Sequence, residues 1–387
     1  MVKSKEKLNQ GKEEKVVDEA EEKRRSKIRS RIIDDYTTPE ARQHLQERFK
    51  AIEASEKKKD ELCVAEEELL NKYLGCMMGL AVGDALGGTL EFSPPGGPGK
   101  KLTEIVGGGP HNLKPGEWTD DTSMALCLAE SLVTKKKFDL FDQMKYYIAW
   151  YREGKFCTRD KIFDVGETVA EALVNFEKDP SEPMAGSTDK YSSGNGSLMR
   201  LASVPLFYFS DKRKTEYFAG LSSITTHGSK ICEDACSYFS LLIFAALEGR
   251  TKEEILKPDL VNDAQSSFCE EILPIIQGSY KEKEPPQIRG TGYVVQSLEA
   301  ALWAFYKSDN FKDGALLAAN LGEDADTTTA VYGQLAGAYY DITDIPSEWI
   351  DIIFEKDLIL EMAKKLFYTI PQDPRWFKFD YSDKIII

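Results

Sequence analysis

Two short acidic segments of this sequence combine aspartate and threonine in patterns that suit cation binding. They are Thr119-Asp120-Asp121-Thr122 and Asp324-Ala325-Asp326-Thr327. Each is followed at once by apolar residues at helical spacing, so each lies at the N-terminus of a predicted helix, whose dipole helps to keep carboxylates ionised. If the segments share one cleft, four aspartates without a basic partner would repel one another strongly. Mg²⁺ and Mn²⁺ favour carboxylate, hydroxyl and water oxygens and would remove that repulsion.

The spacing alone leaves a plainer interpretation open for the first segment. Thr119 can act as an ordinary N-cap residue, with the two aspartates after it favoured by the helix dipole. The recurrence of the pattern at residues 324–327 favours the shared cleft. His227, at a Thr-His-Gly junction between two predicted helices, is likewise either a hydrogen-bonded structural histidine or a ligand contact.

A helix with an unusual glycine spacing precedes the first acidic segment. Four glycines recur every four residues and share one helical face: Gly75, Gly79, Gly83 and Gly87. Together they cost about 3–4 kcal/mol relative to alanine, at about 1 kcal/mol each. Close packing of another helix against the smooth face is the simplest account of that cost. Asp84 and the short apolar span exclude a membrane-embedded glycine-zipper dimer.

Charge is distributed unevenly along the 387 residues, whose 50 Lys and Arg against 65 Asp and Glu give a net charge of −15. Residues 1–70 hold 17 basic and 18 acidic side chains with one Gly and one Pro, and residues 71–387 hold 33 and 47. We therefore expect residues 1–62 to form a charged helical or partly disordered extension, which is either simply solvated or an arm that binds a partner or docks on this same chain. The acidic remainder argues against a nucleic-acid partner.

From residue 63 onwards the apolar periodicity becomes that of a globular domain. Strand signals are few, and loops rich in Gly, Pro, Ser and Asn separate the helical patterns. We predict a single compact, all-α, multi-helix domain over residues 63–387. The predicted helices are 63–90, 121–135, 140–153, 161–177, 218–227, 229–249, 253–257, 262–278, 291–307, 311–319, 327–341 and 347–366.

Several classes of function find no support in the sequence. The longest apolar stretch, Leu241–Leu247, is far shorter than the roughly 20 residues of a membrane span, and the first residues are too polar for a secretory signal. Seven cysteines form no CxxC pair, and the three histidines complete no zinc set. No glycine-rich nucleotide-binding motif follows a strand pattern. These features predict a reduced, cytoplasmic protein without a membrane partner.

Six motifs, in this order along the chain, resemble those of the ADP-ribosylglycohydrolase family. That family includes the dinitrogenase-reductase-activating glycohydrolase and the ADP-ribosyl-acceptor hydrolases. The motifs are Gly83-Asp84-Ala85-Leu86-Gly87 with Glu91-Phe92, Trp118-Thr119-Asp120-Asp121-Thr122, Phe163-Asp164-Val165-Gly166-Glu167-Thr168, Gly194-Asn195-Gly196-Ser197-Leu198-Met199-Arg200, Thr226-His227, and Asn320-Leu321-Gly322-Glu323-Asp324-Ala325-Asp326-Thr327. Each motif alone is weak, whereas six in the family's order are specific.

The resemblance implies an all-α fold with a dinuclear Mg²⁺ or Mn²⁺ centre. It also implies hydrolysis of the glycosidic bond between ADP-ribose and a protein side chain or a small conjugate. The metal ligands that it implies are Thr119, Asp120, Asp121, Asp324, Asp326 and Thr327. The catalytic residues that it implies are Glu91, Asp121, Asp164 and Asp324. The substrate contacts that it implies, with the glycine-rich stretch cradling the diphosphate, are Asp164, Gly194, Asn195, Gly196, Ser197 and His227.

Glu323 departs from the family pattern, in which a small residue or an aspartate is usual, so its side chain either faces solvent or crowds the cleft. No motif encodes whether an arginine, serine or other linkage is cleaved. One alternative function is that of a catalytically silent relative that binds ADP-ribose or serves as a structural protein. Another is that of a protein that blocks a partner through the N-terminal arm. The intact aspartates argue against the silent relative.

Overall fold

The computed structural model describes residues 65–96, 99, 101–261 and 267–369. Within these ranges the chain forms helices joined by loops, with four isolated β-bridges and no sheet, which confirms the predicted all-α class. The α-helices are α1 (65–87), α2 (Asp120–Lys135), α3 (Leu140–Glu153), α4 (Glu167–Lys178), α5 (Ser203–Phe207), α6 (Lys212–Ser223), α7 (Lys230–Leu247), α8 (Lys252–Ile255), α9 (Leu273–Ile276), α10 (Val294–Lys307), α11 (Phe311–Ala319), α12 (Ala325–Tyr340), α13 (Ser347–Ile352) and α14 (Lys356–Tyr368).

The glycine face of α1 lies directly against α12. A Cβ added to Gly79 would lie 2.3 Å from the carbonyl oxygen of Gly333, and one added to Gly83 would lie 2.2 Å from that of Thr329. No side chain fits at such distances, so the glycines allow the two backbones to touch. Gly87 packs in the same way against Ala325, the first residue of α12. The seam therefore fixes the end of α1 beside the N-terminus of α12, and the expected close packing is confirmed.

One hydrophobic cluster, extending from Tyr73 to Leu366, forms the core of the described chain. Nearly every side chain of α7 is buried in it, including Tyr238 and Phe239. The described residues from Glu68 onwards form one compact unit. The helices expected within residues 1–62 lie outside the described residues, and the boundary at residue 63 stays a prediction. In the described part of the chain, no helix combines the length and hydropathy needed to cross a bilayer.

Three predicted helices are shifted by more than three residues at one or both ends or are interrupted in the structure, each for a local reason. The helix predicted at 161–177 begins only at Glu167, after an extended segment that carries Asp164 to the cavity described below. The helix predicted at 218–227 is α6, which begins earlier, at Lys212. Asp211 caps it by accepting hydrogen bonds from the backbone N–H groups of Arg213 and Lys214, whose basic side chains add nothing to the apolar pattern. The helix predicted at 347–366 is broken after α13, where Glu355 adopts a positive φ of 45°.

Two further differences concern short helices. Helix α5, at Ser203–Phe207, was not predicted, because its five residues give too short an apolar pattern for helical periodicity to show. The long helix predicted at 262–278 is reduced to the single turn α9, with residues 262–266 outside the described part of the chain. Neither difference affects the residues of the candidate site.

Candidate active site

The N-termini of α2 and α12 meet at one cavity of about 770 Å³. The sequence left open whether the two acidic segments share one cleft, and in the structure both border this cavity. Thr327 Oγ1 donates a hydrogen bond to Asp121 Oδ2 over 3.3 Å, joining the two helix starts directly. Most of the predicted site residues line the cavity: Glu91, Asp120, Asp164, Gly194, Asn195, Gly196, His227, Asp324, Asp326 and Thr327. Thr119 and Asp121 are buried beside these lining residues, and we call the residues at the two helix starts, together with Glu91, the acidic wall.

Asp84, for which no role was predicted, organises the first helix start. Its buried carboxylate accepts hydrogen bonds from the backbone N–H and the hydroxyl of both Thr119 and Thr122, over 2.6–3.1 Å. Burial raises the pKa of Asp84 to about 6, although these hydrogen bonds oppose the rise. A carboxylate from α1 thus caps α2 from outside the helix. The available signal was one charged residue within the otherwise apolar and glycine-spaced pattern of α1.

Thr119 occupies the N-cap position of α2 that the plainer interpretation gave it, but its side chain does not cap the helix. Its hydroxyl lies 2.9 Å from Asp84 Oδ1 and 3.1 Å from Asp121 Oδ2. A hydroxyl has one proton and two lone pairs, so donation to Asp84 leaves lone pairs of Thr119 available beside Asp121.

Glu91, on the loop after α1, brings a further carboxylate to the two helix starts. Its side chain is 3 % exposed. Burial, together with the charges of Asp164 and Asp324, raises the pKa of Glu91 to about 8. One carboxylate oxygen from each of Glu91, Asp324 and Asp326 lies within 4.8 Å of the other two. Such spacing is compatible with three oxygens around one divalent cation.

The remaining aspartates of this wall share the same electrostatic stress. Burial, then the neighbouring carboxylates, raises the pKa of Asp120, Asp121 and Asp326 well above the usual value. Asp121 Oδ1 is buried and finds no hydrogen-bond partner among the described residues. No lysine or arginine is among the described residues that line the cavity. A concentrated set of oxygen donors, partly unpartnered and without a basic counter-ion, fits divalent cations.

The part of the cavity wall formed by Gly194, Gly196 and His227 carries no carboxylate. Gly194 and Gly196 lie against the ring of His227, and a Cβ added to Gly196 would stand 2.9 Å from His227 Cε1. Burial, with a contribution from the charge of Arg200, lowers the pKa of His227 to about 3, so the imidazole is neutral. These residues leave backbone groups and one uncharged ring facing the space.

Thr226 and Arg200 hold the ring of His227 in place. Thr226 Oγ1 accepts a hydrogen bond from Arg200 over 2.8 Å and lies 2.9 Å from His227 Nδ1, where either atom can be the donor. The other ring nitrogen, Nε2, lies on the side of Gly194. His227 therefore presents an uncharged ring nitrogen to this part of the cavity.

Two residues of the glycine-rich motif behave differently from the expectation of a simple phosphate cradle. Asn195 Nδ2 donates to Asp324 Oδ2 over 2.6 Å, so this side chain links the neutral wall to the acidic one. Ser197 does not line the cavity, because its hydroxyl is buried and accepts from Ser223 over 2.8 Å. The structure therefore does not bring the Ser197 hydroxyl together with the other predicted site residues.

Glu323 lines the rim of the cavity rather than crowding its floor. Its carboxylate pairs with Arg289, and its backbone forms an antiparallel bridge with Ser93, two residues after Glu91. The φ angle of Glu323 is 57°, a region that favours glycine. The departure from the family pattern is thus accommodated by a salt bridge at the edge of the site.

Sequence reasoning also missed His111, which lies in the loop before α2. Its Nε2 stands 3.1 Å from Glu91 Oε2 and 3.6 Å from Asp164 Oδ2. The ring lies near those of Phe92 and Phe163, with centroid separations of 6.4 and 5.5 Å. A histidine in a loop rich in glycine and proline belongs to none of the six motifs, so no pattern pointed to it.

Comparison with known proteins identifies the family of the chain. The sequence model of the ADP-ribosylglycohydrolase family matches residues 65–375. The chain is similar to the ADP-ribosylarginine hydrolase Tri1 of Serratia proteamaculans, with 38 % identity over 80 % of this chain and 82 % of that protein. It is 40 % identical to the ADP-ribosylarginine hydrolase Tri1 of Pseudomonas putida, over 79 % of this chain and 80 % of that protein. A solved structure described as an ADP-ribosylglycohydrolase-related protein complex superposes with a TM-score of 0.69 at 39 % identity, covering 79 % of this chain and 99 % of that chain.

Proposed function

Because the chain belongs to the ADP-ribosylglycohydrolase family and is a hydrolase of ADP-ribose glycosidic bonds, we propose that it removes ADP-ribose from arginine side chains in a metal-dependent reaction. The names of the two similar hydrolases support the arginine linkage. The observation that carries the metal dependence is the meeting of two acidic helix starts, bridged by the contact between Thr327 and Asp121, without a basic side chain among the described residues of the cavity wall.

Two Mg²⁺ or Mn²⁺ ions would be held by the residues at the two helix starts. These residues are Thr119, Asp120, Asp121, Asp324, Asp326 and Thr327. The unpartnered Asp121 Oδ1 and the raised pKa values of the aspartates support this assignment. When bound, such ions supply charge to orient the ribose hydroxyls and to make a water molecule more acidic. Asp121 and Asp324 would be indispensable because each belongs to one of the two helix starts.

Glu91 and Asp164 would manage the proton and the sugar at the reacting end of the cavity. Burial raises the pKa of the Glu91 carboxyl above its usual value, which suits a group that takes up a proton and returns it. Asp164 is less buried than Glu91 and faces the same cavity, where it would contact the ribose. Bond cleavage develops positive charge on the sugar, which neighbouring carboxylates stabilise.

The neutral wall would receive the diphosphate. Gly194 and Gly196 let the uncharged ring of His227 pack against the backbone, and this ring would offer a polar contact to the ligand that needs no counter-ion. Asn195 would couple this wall to the metal side through Asp324. The hydroxyl of Ser197 is left out of the proposal, because it is engaged with Ser223 away from the cavity.

The linkage and the metal dependence are tested together by digesting matched ADP-ribosylated peptides. Arginine-linked and serine-linked peptides are incubated with the full-length protein, with EDTA, and with EDTA followed by excess Mg²⁺ or Mn²⁺. The expected result is release of ADP-ribose from the arginine-linked peptide, loss of release in EDTA and recovery with metal. The variant Asp189→Asn, which changes an exposed aspartate outside the cavity, serves as the matched control.

Three outcomes would contradict parts of this proposal. Faster release from the serine-linked peptide would contradict the arginine linkage. Full activity in EDTA after prolonged dialysis would contradict the metal requirement. Tight ADP-ribose binding without release under any condition would favour the catalytically silent relative.

The N-terminal extension remains part of the proposal as an arm that contacts a protein partner, for instance an ADP-ribosyltransferase whose product this hydrolase would reverse. Its support is the dense charge of residues 1–62. Deletion of residues 1–60 is expected to weaken partner binding, measured by pull-down, while release of ADP-ribose from a peptide persists. Unchanged partner binding would contradict the role.

We also keep the cytoplasmic location in the proposal, since the described cysteines are free thiols, as in a reducing compartment.

A further inference from the structure

Three side chains form a second group of metal-ligating atoms beside the acidic helix starts. They are Glu91, His111 and Asp164, whose nearest ligand atoms all lie within 4.8 Å of one another. We propose that this group is a second cation site, which shares Glu91 with the group at the helix starts and takes a transition-metal cation of the Zn²⁺ type, and that its occupation inhibits the enzyme. The inhibition rests on the function proposed above, whereas the binding does not.

The distances in the group suit a cation between the three side chains. His111 Nε2 lies 3.1 Å from Glu91 Oε2 and 3.6 Å from Asp164 Oδ2. Ligands bound to Zn²⁺ at about 2.0–2.1 Å in a tetrahedron stand about 3.3 Å from one another. The observed separations bracket that value without movement of the backbone. Asp164 also borders the cavity, through which a cation and a completing water molecule could enter.

The contact between His111 and Glu91 is close but is not a hydrogen bond. Both His111 Nε2 and Glu91 Oε2 are buried, and neither has a hydrogen-bond partner among the described residues. The Glu91 side chain is 3 % exposed, so this oxygen is largely shielded from bulk solvent. Unsatisfied buried polar atoms are costly. A cation placed between the two atoms would satisfy both at once.

The nitrogen ligand distinguishes this group from the centre at the two helix starts. Mg²⁺ takes oxygen ligands, whereas imidazole suits Zn²⁺, Co²⁺, Ni²⁺ and Cu²⁺. The helix starts provide only carboxylate and hydroxyl oxygens, from residues such as Asp121 and Thr327. The two sites should therefore separate the cations by chemistry, with the harder ion at the helix starts and the softer one at His111.

Occupation of the group would remove two carboxylates from the reaction. Glu91 and Asp164 are the residues that the proposed function uses to hold a proton and contact the ribose. A cation bound to both would keep Glu91 deprotonated and would stand where the sugar approaches. Zn²⁺ should therefore inhibit the enzyme that is already saturated with Mg²⁺.

Binding is tested on the full-length protein saturated with Mg²⁺, by titration with Co²⁺ as a spectroscopic substitute for Zn²⁺. The chain has three histidines, so their imidazole ¹⁵N resonances can be assigned by substitution. The variant His111→Phe keeps a ring beside Phe92 and Phe163 and removes the nitrogen ligand. The matched control is Asp160→Asn, which changes an exposed carboxylate on the segment that leads to Asp164.

The expected result is a Co²⁺ absorption band with a shifted His111 resonance in the wild type and in Asp160→Asn, and no such band in His111→Phe. Loss of an outer-shell partner already weakens metal sites about 10–100-fold, so Zn²⁺ inhibition of His111→Phe should weaken at least tenfold. If His111→Phe does not fold, Asp164→Asn takes its place in the binding titration. An identical Co²⁺ band in the variant, or equal Zn²⁺ sensitivity of wild type and His111→Phe, would overturn the proposal.

Discussion

The two walls of the cavity solve opposite electrostatic problems. The wall built by α2 and α12 crowds buried aspartates whose pKa values are all raised, and it has oxygens without partners among the described residues. The wall built by Gly194, Gly196 and His227 has no charge, and each polar group there is neutral. A substrate with an anionic diphosphate would be repelled by the first wall unless cations cover it. The acidic wall therefore needs bound cations before the substrate can approach it, whereas the neutral wall can contact the substrate directly.

The largest effect is expected from removing a carboxylate of the acidic wall. Asp121→Ala and Asp324→Ala should abolish turnover, a loss beyond the about 10²–10³-fold that follows removal of a single neutral donor. The fold should persist, because each change relieves repulsion between buried carboxylates. Release of ADP-ribose from an arginine-linked peptide measures the loss, and circular dichroism checks the fold. Full activity in either variant would remove the metal assignment.

A bulkier residue on the neutral wall should affect binding more than chemistry. In Gly196→Ala the new Cβ would stand 2.9 Å from His227 Cε1, so the ring must move from its present position. We expect KM to rise about tenfold or more, equivalent to about 1.4 kcal/mol of binding per tenfold, with kcat less affected. Gly166→Ala is the matched control on the same cavity, since its Cβ would meet only Val169 Cγ2 at 3.9 Å. A larger KM effect in the control would contradict this interpretation of the wall.

The buried carboxylates should also make the metal-free protein less stable as the pH rises from acidic to neutral values. A raised carboxyl pKa means that the folded state holds a proton which the unfolded chain releases, so stability is lost as pH rises from the unfolded to the folded pKa. For Asp84 this window runs from the ordinary value of 3.8 to about 6, and for Glu91 from 4.5 to about 8.

The midpoint of thermal unfolding in EDTA should therefore fall between pH 5 and pH 8, and Mg²⁺ should reverse the fall. Differential scanning calorimetry at several pH values, with and without the cation, provides the measurement. A melting temperature in EDTA that rises over the same interval would contradict the crowding of carboxylates described above.

The smallest effect is expected at the rim, where the chain departs from its family. Glu323→Gly removes a side chain that pairs with Arg289 and places glycine at a φ of 57°, which costs glycine nothing. An exposed ion pair contributes about 0–1 kcal/mol, so loss of the pair and relief of the backbone should nearly cancel. Peptide-release kinetics should change less than about twofold, as expected for a weak surface pair. A large loss of activity would show that Glu323 belongs to the acidic wall.

The sequence predicted the two acidic helix N-termini better than the residues that support them. The helix starts and the glycine seam were readable because aspartates before an apolar helix, and glycines every four residues, are local patterns. No role was predicted for Asp84 or His111, because each makes its important contact with a residue far away in the sequence. Asp84 contacts the start of α2, and His111 contacts Glu91. Ser197 shows the reverse case, since its motif suggested a phosphate contact and packing against Ser223 turned the hydroxyl into the core.

Cations on the acidic wall should decide whether an anionic substrate can enter the cavity. Calorimetric titration of the same protein with ADP-ribose, once in Mn²⁺ or Mg²⁺ and once in EDTA, tests this role without requiring turnover. We predict clear binding with the cation, and binding in EDTA that is weaker by at least an order of magnitude, because the buried carboxylates and the diphosphate then repel. Equal affinity under the two conditions would contradict this role of the cations.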